Sequence, residues 1–301
     1  MGKLIAYIKS RLRTFTQICF TALSNGYAAG FVHGKIYKGG TKALCLPGLN
    51  CYSCPGALGS CPVGSLQAML ASRDYKLTFY VSGILIFFGA VFGRFICGWL
   101  CPFGLVQDLL YKIPFVKKLK KLPGDKWLRY LKYVILLGFV IILPLIALDA
   151  FGQGQPWFCK YICPSGTLFA GIPLIAANPT LQAALGWIFT WKTAILIVLI
   201  LLSVLVYRPF CRYICPLGAI YGLFNPISLY RYKINPDKCI GCGLCSKACK
   251  LDIPVYKIPN SPECIRCGEC LKSCPYNAIT KVNGIGCGIK TKSDVAESDG
   301  K

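Results

Sequence analysis

The sequence predicts an all-α polytopic membrane protein with a small α+β domain at its C-terminal end. Of the 301 residues, 55% are hydrophobic and only 15% are charged, and the mean hydropathy is +0.54. A soluble domain carries about 25% charged residues, so this composition indicates a chain with much of its surface in lipid. After residue 232 the chain becomes more polar, which predicts a separate folded unit there.

Four apolar stretches are predicted to cross the membrane, because a bilayer core of about 30 Å needs roughly 20 helical residues. They are residues 14–33, 78–97, 131–150 and 190–207. The first is the most polar, and we expect it to remain as an uncleaved span. The predicted organisation is a basic N-terminus over 1–13, a membrane domain over 14–232, a folded unit over 233–282 and a polar tail over 283–301.

Lysine and arginine residues predict the orientation of these spans. If the N-terminus is cytoplasmic, the inner segments 1–13, 108–132 and 208–238 hold 4, 8 and 5 basic residues. The outer segments 34–76 and 149–192 hold only 5 and 2. This excess predicts a multi-pass protein of the cytoplasmic membrane with both termini in the cytoplasm. The net charge of +23 lies beside the spans, so we expect membrane lipid rather than nucleic acid as its partner.

Eight cysteines near the C-terminal end form a bacterial ferredoxin motif twice over. In such motifs three closely spaced thiolates hold one cluster, and the fourth cysteine reaches the other cluster. The predicted ligand sets are Cys239, Cys242, Cys245 and Cys274, and Cys264, Cys267, Cys270 and Cys249. Zinc ribbons use paired C-x-x-C knuckles, and disulfides are not expected in a reducing cytoplasm. The sequence therefore predicts two [4Fe–4S] clusters in this unit.

A second motif, C-x-x-x-C-P-x-G, occurs three times in the membrane domain. The copies cover residues 97–104, 159–166 and 211–218, and a degenerate copy ends at residues 61–64. Each copy follows one predicted span, which indicates two similar halves. The proline predicts that a helix begins directly after each second cysteine, with its N-terminus near an anionic cluster. Basic residues that flank the motifs are Arg94, Lys160, Arg208 and Arg212.

The predicted topology pairs these motifs on the two faces of the membrane. The inner face receives the four thiolates that one [4Fe–4S] cluster needs, namely Cys97, Cys101, Cys211 and Cys215. The outer face receives Cys159 and Cys163, which need two further ligands. The candidates are Cys45, Cys51, Cys54 and Cys61. We favour Cys54 and Cys61 because Cys61 aligns with Cys163, which leaves Cys45 and Cys51 free or disulfide-linked. Structural disulfides are the main alternative to this outer cluster.

These motifs resemble the membrane polyferredoxins of bacterial respiration over about residues 14–280. They are similar to the ferredoxin-type membrane proteins of periplasmic nitrate reductase and of methylamine utilisation. They also resemble the membrane half of the nitrous-oxide reductase regulatory protein. The resemblance implies an electron-transfer component of an oxidoreductase system rather than a stand-alone enzyme. It implies electron exchange between a cytoplasmic donor or the quinone pool and an extracytoplasmic redox partner, sometimes a flavoprotein.

The predicted function is electron transfer across the membrane through the tail clusters, the inner cluster and the outer cluster. About 30 Å of lipid separates the two faces. Either the cysteine loops dip into the membrane, or a further cofactor bridges the gap. The alternative function is an iron–sulfur maturation or redox-sensing factor that supports a partner enzyme. Coupled ion pumping is not expected, because the spans carry no buried acidic relay.

Overall fold

A computed structural model describes residues 2–72, 75–114, 118–147, 149, 154–183 and 185–283. This part of the chain is mostly helical and ends in a small α+β unit that holds the ferredoxin motifs. Of the predicted polar tail over 283–301, only Asn283 is among the described residues, and Cys287 lies outside them.

Helices account for most of the described chain, and a two-stranded sheet lies near its end. The α-helical segments, two of which include a π-helical stretch, are Gly2–Ser24, Ala28–His33, Pro62–Ser72, Tyr75–Phe92, Phe95–Trp99, Pro102–Tyr111, Asp125–Ile146, Trp157–Tyr161, Pro164–Ala177, Pro179–Ala183, Trp187–Leu205, Pro209–Tyr213, Pro216–Phe224, Leu244–Lys247 and Glu269–Lys272. Short 3₁₀ helices span Gly40–Ala43 and Pro236–Lys238, and the strands are Tyr230–Ile234 (β1) and Ile279–Asn283 (β2).

Two of the described helices, Asp125–Ile146 and Trp187–Leu205, are long and apolar enough to cross a bilayer. They coincide with the predicted spans 131–150 and 190–207. The other two predicted spans differ from the helices found. The Gly2–Ser24 helix ends inside the range 14–33, and a second short helix follows it. The range 78–97 also divides, because Gly93 adopts a φ of +52° after Phe92 and starts a new direction of the chain.

The helices that follow the cysteine motifs confirm the role predicted for proline. Helices begin at Pro102, Pro164 and Pro216, directly after the second cysteine of each full motif. The degenerate copy behaves in the same way, with a helix from Pro62. In the full copies the preceding cysteine is extended, as the steric demand of the proline ring requires. Each motif therefore places its second thiol at a helix N-terminus.

The C-terminal unit has the α+β composition that the sequence predicts. Strands β1 and β2 pair antiparallel, with Tyr230 opposite Asn283 and Ile234 opposite Ile279. The two short helices of this unit begin after Gly243 and Gly268, which both have positive φ. The sheet joins the two ends of the unit, so the segments that carry the ferredoxin motifs form one compact loop-rich body between them.

Candidate iron–sulfur relay

One predicted ferredoxin ligand set lines a single cavity in the C-terminal unit. The wall of the cavity includes Cys239, Cys242, Cys245 and Cys274, which we call the distal quartet. The rest of the wall is mainly apolar and includes Ile240, Leu244 and Ile279. Gly241 and Gly243 both have positive φ, near +70°, so the loop curves closely around this space. A cavity with four thiols and apolar walls fits a [4Fe–4S] cluster.

The second predicted ferredoxin set is also brought together in the fold. We call it the proximal quartet, and it comprises Cys249, Cys264, Cys267 and Cys270. Burial, together with the neighbouring thiols of the set, raises the pKa of Cys264 to about 11 and that of Cys270 to about 12. All six pairs of these thiols interact electrostatically. Four crowded thiolates repel one another, so a cationic iron core is the group that would let all of them ionise.

The first and third membrane motifs meet in the interior of the helical domain. Their four cysteines form the inner quartet, Cys97, Cys101, Cys211 and Cys215. Each is only 4–5% exposed, and all six pairs interact electrostatically. The two motifs pack so closely that a side chain at Gly104 would come within 3.2 Å of the Arg208 guanidinium, three residues before Cys211. A side chain at Gly218 would come within 3.1 Å of the Arg94 guanidinium, three residues before Cys97.

The glycine of the C-P-x-G motif has a further role in binding sulfur. The Gly218 N–H lies 3.4 Å from the Cys215 sulfur and donates to it. Backbone hydrogen bonds from Gly64, Gly104 and Gly166 act in the same way on the second cysteine of their own copies. Such bonds favour the thiolate, which is the form that binds iron.

Four other cysteines meet at the second motif, and they form the outer quartet. Its members are Cys51, Cys61, Cys159 and Cys163, and all six pairs interact electrostatically. A side chain at Gly64 would lie 3.7 Å from the Cys159 sulfur, and one at Gly166 would lie 3.7 Å from the Cys51 sulfur. Two independent close approaches therefore join residues 51–64 to residues 159–166.

Cys54, which the sequence favoured as an outer ligand, occupies a different place. A tight turn, in which the Cys54 N–H donates to the Cys51 carbonyl oxygen at 3.1 Å, joins the two cysteines, and Cys54 interacts electrostatically with Cys51. Cys54 lies beside Lys42, and burial raises its pKa although Lys42 opposes this. The remaining candidate, Cys45, is buried and hydrogen-bonded to Ser65. The structure thus places Cys51, and not Cys54, beside the other three outer thiols.

Neither alternative reading of the cysteines has a matching geometry among the described residues. Every described cysteine is a free thiol, so no disulfide joins Cys45 to Cys51. In the same part of the chain, no three His, Cys, Asp or Glu residues are spaced to share a single metal ion.

The loop over residues 44–61, which we call the outer cysteine loop, contacts the first motif of the inner quartet. A side chain at Gly48 would come within 3.4 Å of the Cys101 Cα, so the loop packs directly on the first inner motif. The Tyr221 hydroxyl, from the helix after the second inner motif, donates to the Pro47 carbonyl oxygen at 3.0 Å. These contacts pack the loop directly against the helices that hold the inner quartet.

The proximal quartet is joined to the inner quartet by the loop that contains Cys264. The backbones of Gly98 and Ile265 touch, since a side chain at Gly98 would overlap the Ile265 carbonyl oxygen. The Trp99 indole donates to the Arg266 carbonyl oxygen at 3.0 Å. The Asn225 amide donates to the Cys264 carbonyl oxygen at 2.7 Å. These contacts place a proximal ligand segment directly on the Cys97 motif.

Buried ion pairs hold this junction. Arg94 donates to Glu263 at 2.9 Å and to the Cys211 carbonyl oxygen at 2.8 Å, and Lys132 pairs with the same carboxylate. Burial alone would raise the pKa of Glu263, but the charges of Arg94 and Lys132 outweigh it and lower the pKa. Arg208 pairs with Asp108 at 2.6 Å. These cations lie beside the inner quartet, where they suit an anionic cluster.

Two buried glutamines that the sequence did not single out contact the membrane thiols. Gln107 donates to the Cys211 sulfur at 3.2 Å, and Gln67 donates to the Cys159 sulfur at 3.3 Å. A sequence signal for them exists, because each glutamine stands six residues after the second cysteine of its copy. An alignment of the degenerate copy at residue 61 with the copy at residue 101 would have shown this repeated glutamine.

Comparison with family models accounts for both sets of motifs. A 4Fe-4S binding domain, Fer4_5, matches residues 77–123, 131–175 and 187–235, and each match contains one full membrane motif. A second 4Fe-4S binding domain, Fer4, matches residues 232–254 and 259–280. MauN from Paracoccus denitrificans, a methylamine utilization ferredoxin-type protein, is 30% identical over 215 residues, which cover 69% of this chain and 68% of MauN. The chain belongs to the ferredoxin-type 4Fe-4S protein family.

Two further relatives are matched over smaller shares of their own length. MJ0749 from Methanocaldococcus jannaschii is 28% identical over 199 residues, or 64% of this chain and 66% of that protein. YccM from Escherichia coli, whose name refers to electron transport, is 27% identical over 169 residues, which cover 54% of this chain and 43% of YccM. The chain thus spans two thirds or less of these two relatives. No solved structure matches the chain significantly.

The comparisons confirm the resemblance to methylamine utilisation proteins and to the nitrous-oxide reductase regulatory protein. The regulatory protein NosR of Stutzerimonas stutzeri is 26% identical over 174 residues, 58% of this chain and 21% of NosR. Iron–sulfur electron transfer is supported for this chain by the family and its domains. The similarity to the proteins of periplasmic nitrate reductase stays a prediction.

Proposed function

We propose that the protein carries electrons between a cytoplasmic donor, or the quinone pool, and an extracytoplasmic redox partner through four [4Fe–4S] clusters. The observation that supports this proposal is the direct contact between consecutive ligand segments. Gly98 touches the proximal segment at Ile265, and Gly48 touches the inner segment at Cys101. When bound, each cluster supplies one-electron storage and transfer, while the protein supplies ligands, burial and charge.

The proposed ligands follow the four quartets. The distal, proximal and inner sets agree with the sequence prediction, and the outer set contains Cys51 in place of Cys54. Close approaches of Gly64 and Gly166 to outer thiols support this choice. Cys45 and Cys54 remain as thiols without an iron ligand role in this proposal.

The proposed placement in the membrane has four spans, two similar halves and both termini in the cytoplasm. Support comes from the two long apolar helices, the shorter apolar helices Thr78–Phe92 and Pro164–Ala177, and the excess of basic residues in the inner segments. Apolar side chains on these helices are exposed, such as Phe79 at 75% and Leu201 at 61%. Side chains of this kind suit contact with lipid.

The proposed entry point for a cytoplasmic donor is the distal quartet. Cys242 is exposed, and so are Ile240, Leu244 and Tyr276, which line the same cavity. An exposed ligand within an apolar patch lets a partner protein approach the cluster closely. On the opposite side of the membrane, the outer quartet would exchange electrons with the extracytoplasmic partner.

Iron and acid-labile sulfide per chain, measured after anaerobic purification, test the proposed number of clusters. We expect about sixteen irons, four for each cluster. Eight irons would confine the clusters to the ferredoxin motifs and contradict the relay. Cys51→Ser should lose about a quarter of the iron, whereas Cys54→Ser, the matched control three residues away, should lose none. The reverse result would restore the sequence-based ligand set.

Electron transfer itself separates this proposal from the maturation or redox-sensing alternative. Sealed vesicles loaded with an external acceptor should show reduction by a donor on the cytoplasmic side. The reduction rate should fall at least tenfold in Cys97→Ala and Cys211→Ala, because each removes an inner ligand. An unchanged rate in both variants would favour the alternative function.

A further inference from the structure

Gln67 and Gln107 occupy equivalent positions in two different motif copies. Each lies on the helix that starts at the motif proline, six residues after Cys61 or Cys101. Gln67 is 0% exposed and Gln107 is 1% exposed. A buried amide costs free energy unless its donors and acceptor are satisfied, so a repeated buried glutamine needs a physical reason.

The contacts of the two glutamines are also equivalent. Each side-chain amide nitrogen faces the first cysteine of the facing motif, with Gln107 at 3.2 Å from the Cys211 sulfur and Gln67 at 3.3 Å from the Cys159 sulfur. Each side-chain oxygen accepts the backbone N–H of the residue before that cysteine. These bonds measure 3.2 Å from Phe210 and 2.9 Å from Phe158.

The backbone donors settle the orientation of both amides. A backbone N–H can bond only to the amide oxygen, so the NH₂ group must face the sulfur. Each glutamine therefore presents an N–H donor to one thiolate of a quartet. The other two copies have Phe169 and Tyr221 at the corresponding position. The Tyr221 hydroxyl donates to the Pro47 carbonyl oxygen and not to a sulfur.

We propose that Gln67 and Gln107 set the reduction potentials of the outer and inner clusters by donating an N–H bond to Cys159 and Cys211. This inference rests on the proposed function. Reduction adds negative charge to a cluster and its thiolates, and a donor to sulfur stabilises the more negative state more strongly. Each glutamine thus raises the potential of its own cluster, so the two membrane clusters are tuned independently of the charge around them.

Redox titration followed by electron paramagnetic resonance tests this role in the full-length protein. Gln107→Met should shift the inner cluster to a lower midpoint potential, with a change of about tenfold in the redox equilibrium, or 59 mV for one electron. The outer cluster should not shift. Gln67→Met should lower the midpoint potential of the outer cluster and leave that of the inner cluster unchanged. Ser203→Ala is the control, because it removes a buried bond of 2.6 Å to the Leu199 carbonyl oxygen that involves no sulfur.

Each outcome of this experiment decides between the two proposals. If both membrane clusters are present and neither potential shifts, or if Ser203→Ala shifts them equally, the role of the glutamines is overturned and the relay stands. If the unmutated protein lacks the inner and outer signals, the relay is overturned together with this inference.

A second measurement covers the case in which the methionine variants do not assemble clusters. In this measurement the unmutated protein carries ¹⁵N in its glutamine side chains. Pulsed electron paramagnetic resonance spectra of the reduced inner cluster should then show hyperfine coupling to nitrogen. Gln107 is the source of that coupling, so its absence would overturn the assignment.

Discussion

At the scale of single residues, the junction between the C-terminal unit and the helical domain depends on a buried carboxylate. Glu263 is 7% exposed and lies between Arg94 and Lys132. Breaking a buried pair by removing one partner is strongly destabilising, because the other charge stays buried without compensation. The same arrangement places the Arg94 guanidinium on the Cys211 carbonyl oxygen of the inner motif, so one network serves both assembly and cluster electrostatics.

Glu263→Gln should destabilise this junction by about 3–5 kcal/mol, since it leaves Arg94 and Lys132 without a counter-charge. Thermal unfolding followed by the visible absorbance of the clusters measures the effect. Glu269→Gln is the matched control, because Glu269 and Lys272 form an exposed pair at 3.8 Å. Exposed pairs contribute about 0–1 kcal/mol, so the control should behave like the unmutated protein. Equal losses in both variants would contradict the role of burial.

At the scale of elements, the cysteine motifs act as helix starts that face one another. The proline ends the extended segment at the second cysteine. The glycine two residues later leaves room for the arginine that precedes the facing motif, Arg208 at Gly104 and Arg94 at Gly218. The loop before Pro62 then adds the contact that joins the outer and inner quartets. This loop is covered by protein, since Leu49 and Asn50 are both buried.

Gly48→Val should separate the outer loop from the Cys101 motif, because a side chain there meets the Leu100 carbonyl oxygen at 3.3 Å and the Cys101 Cα at 3.4 Å. We expect all quartets to keep their iron while electron transfer to an outer acceptor slows by at least tenfold. Gly40→Val, just before this loop, meets nothing within 4 Å and serves as the control. Vesicle assays with iron analysis measure both properties, and an unchanged rate in Gly48→Val would refute the loop contact as part of the path.

At the scale of the whole molecule, the two motif systems form one continuous sequence of ligand segments. The C-terminal unit sits on the inner quartet through the contact between Gly98 and Ile265, and the Arg266 side chain donates to the Phe92 and Asn225 carbonyl oxygens at 2.8 and 2.7 Å. The ferredoxin unit is therefore a packed part of the helical domain and not a tethered appendage.

Gly98→Ala should disturb this packing, because the added carbon overlaps the Ile265 carbonyl oxygen. The iron of the distal and proximal quartets should remain, while reduction of the inner cluster by a cytoplasmic donor should slow. Gly83→Ala, on the Tyr75–Phe92 helix with nothing within 4 Å, is the control. Rapid-mixing spectroscopy measures the rate, and equal rates in the two variants would argue against a direct contact path.

The proposed orientation predicts the protease sensitivity of sealed vesicles. Lys120 and Lys257 are exposed and belong to the cytoplasmic side, whereas Lys38 is exposed on the outer side. Trypsin should cleave after Lys120 and Lys257 only in inside-out vesicles, and after Lys38 only in right-side-out vesicles. Cleavage at Lys38 and Lys257 from the same side would refute the four-span topology.

The sequence by itself determined the features that depend on short spacing. The ferredoxin motifs, the helix starts at Pro102 and Pro216, the α+β unit and the family all follow from residues close together in the chain. Local steric rules and ligand spacing are sufficient for these. The apolar pattern also located the two long helices, although it could not show that a single glycine would end the helix before Cys97.

Only the tertiary structure decided the features that depend on side-chain direction and on contacts between distant segments. A turn joins Cys51 to Cys54, and the Cys51 sulfur lies 3.7 Å from the place that a side chain at Gly166 of the second motif would take. The approach of the outer loop to Cys101 and the position of Gln107 beside Cys211 join segments about 50 to 100 residues apart. Spacing along the chain carries no information about such directions, because they arise when the two halves pack against each other.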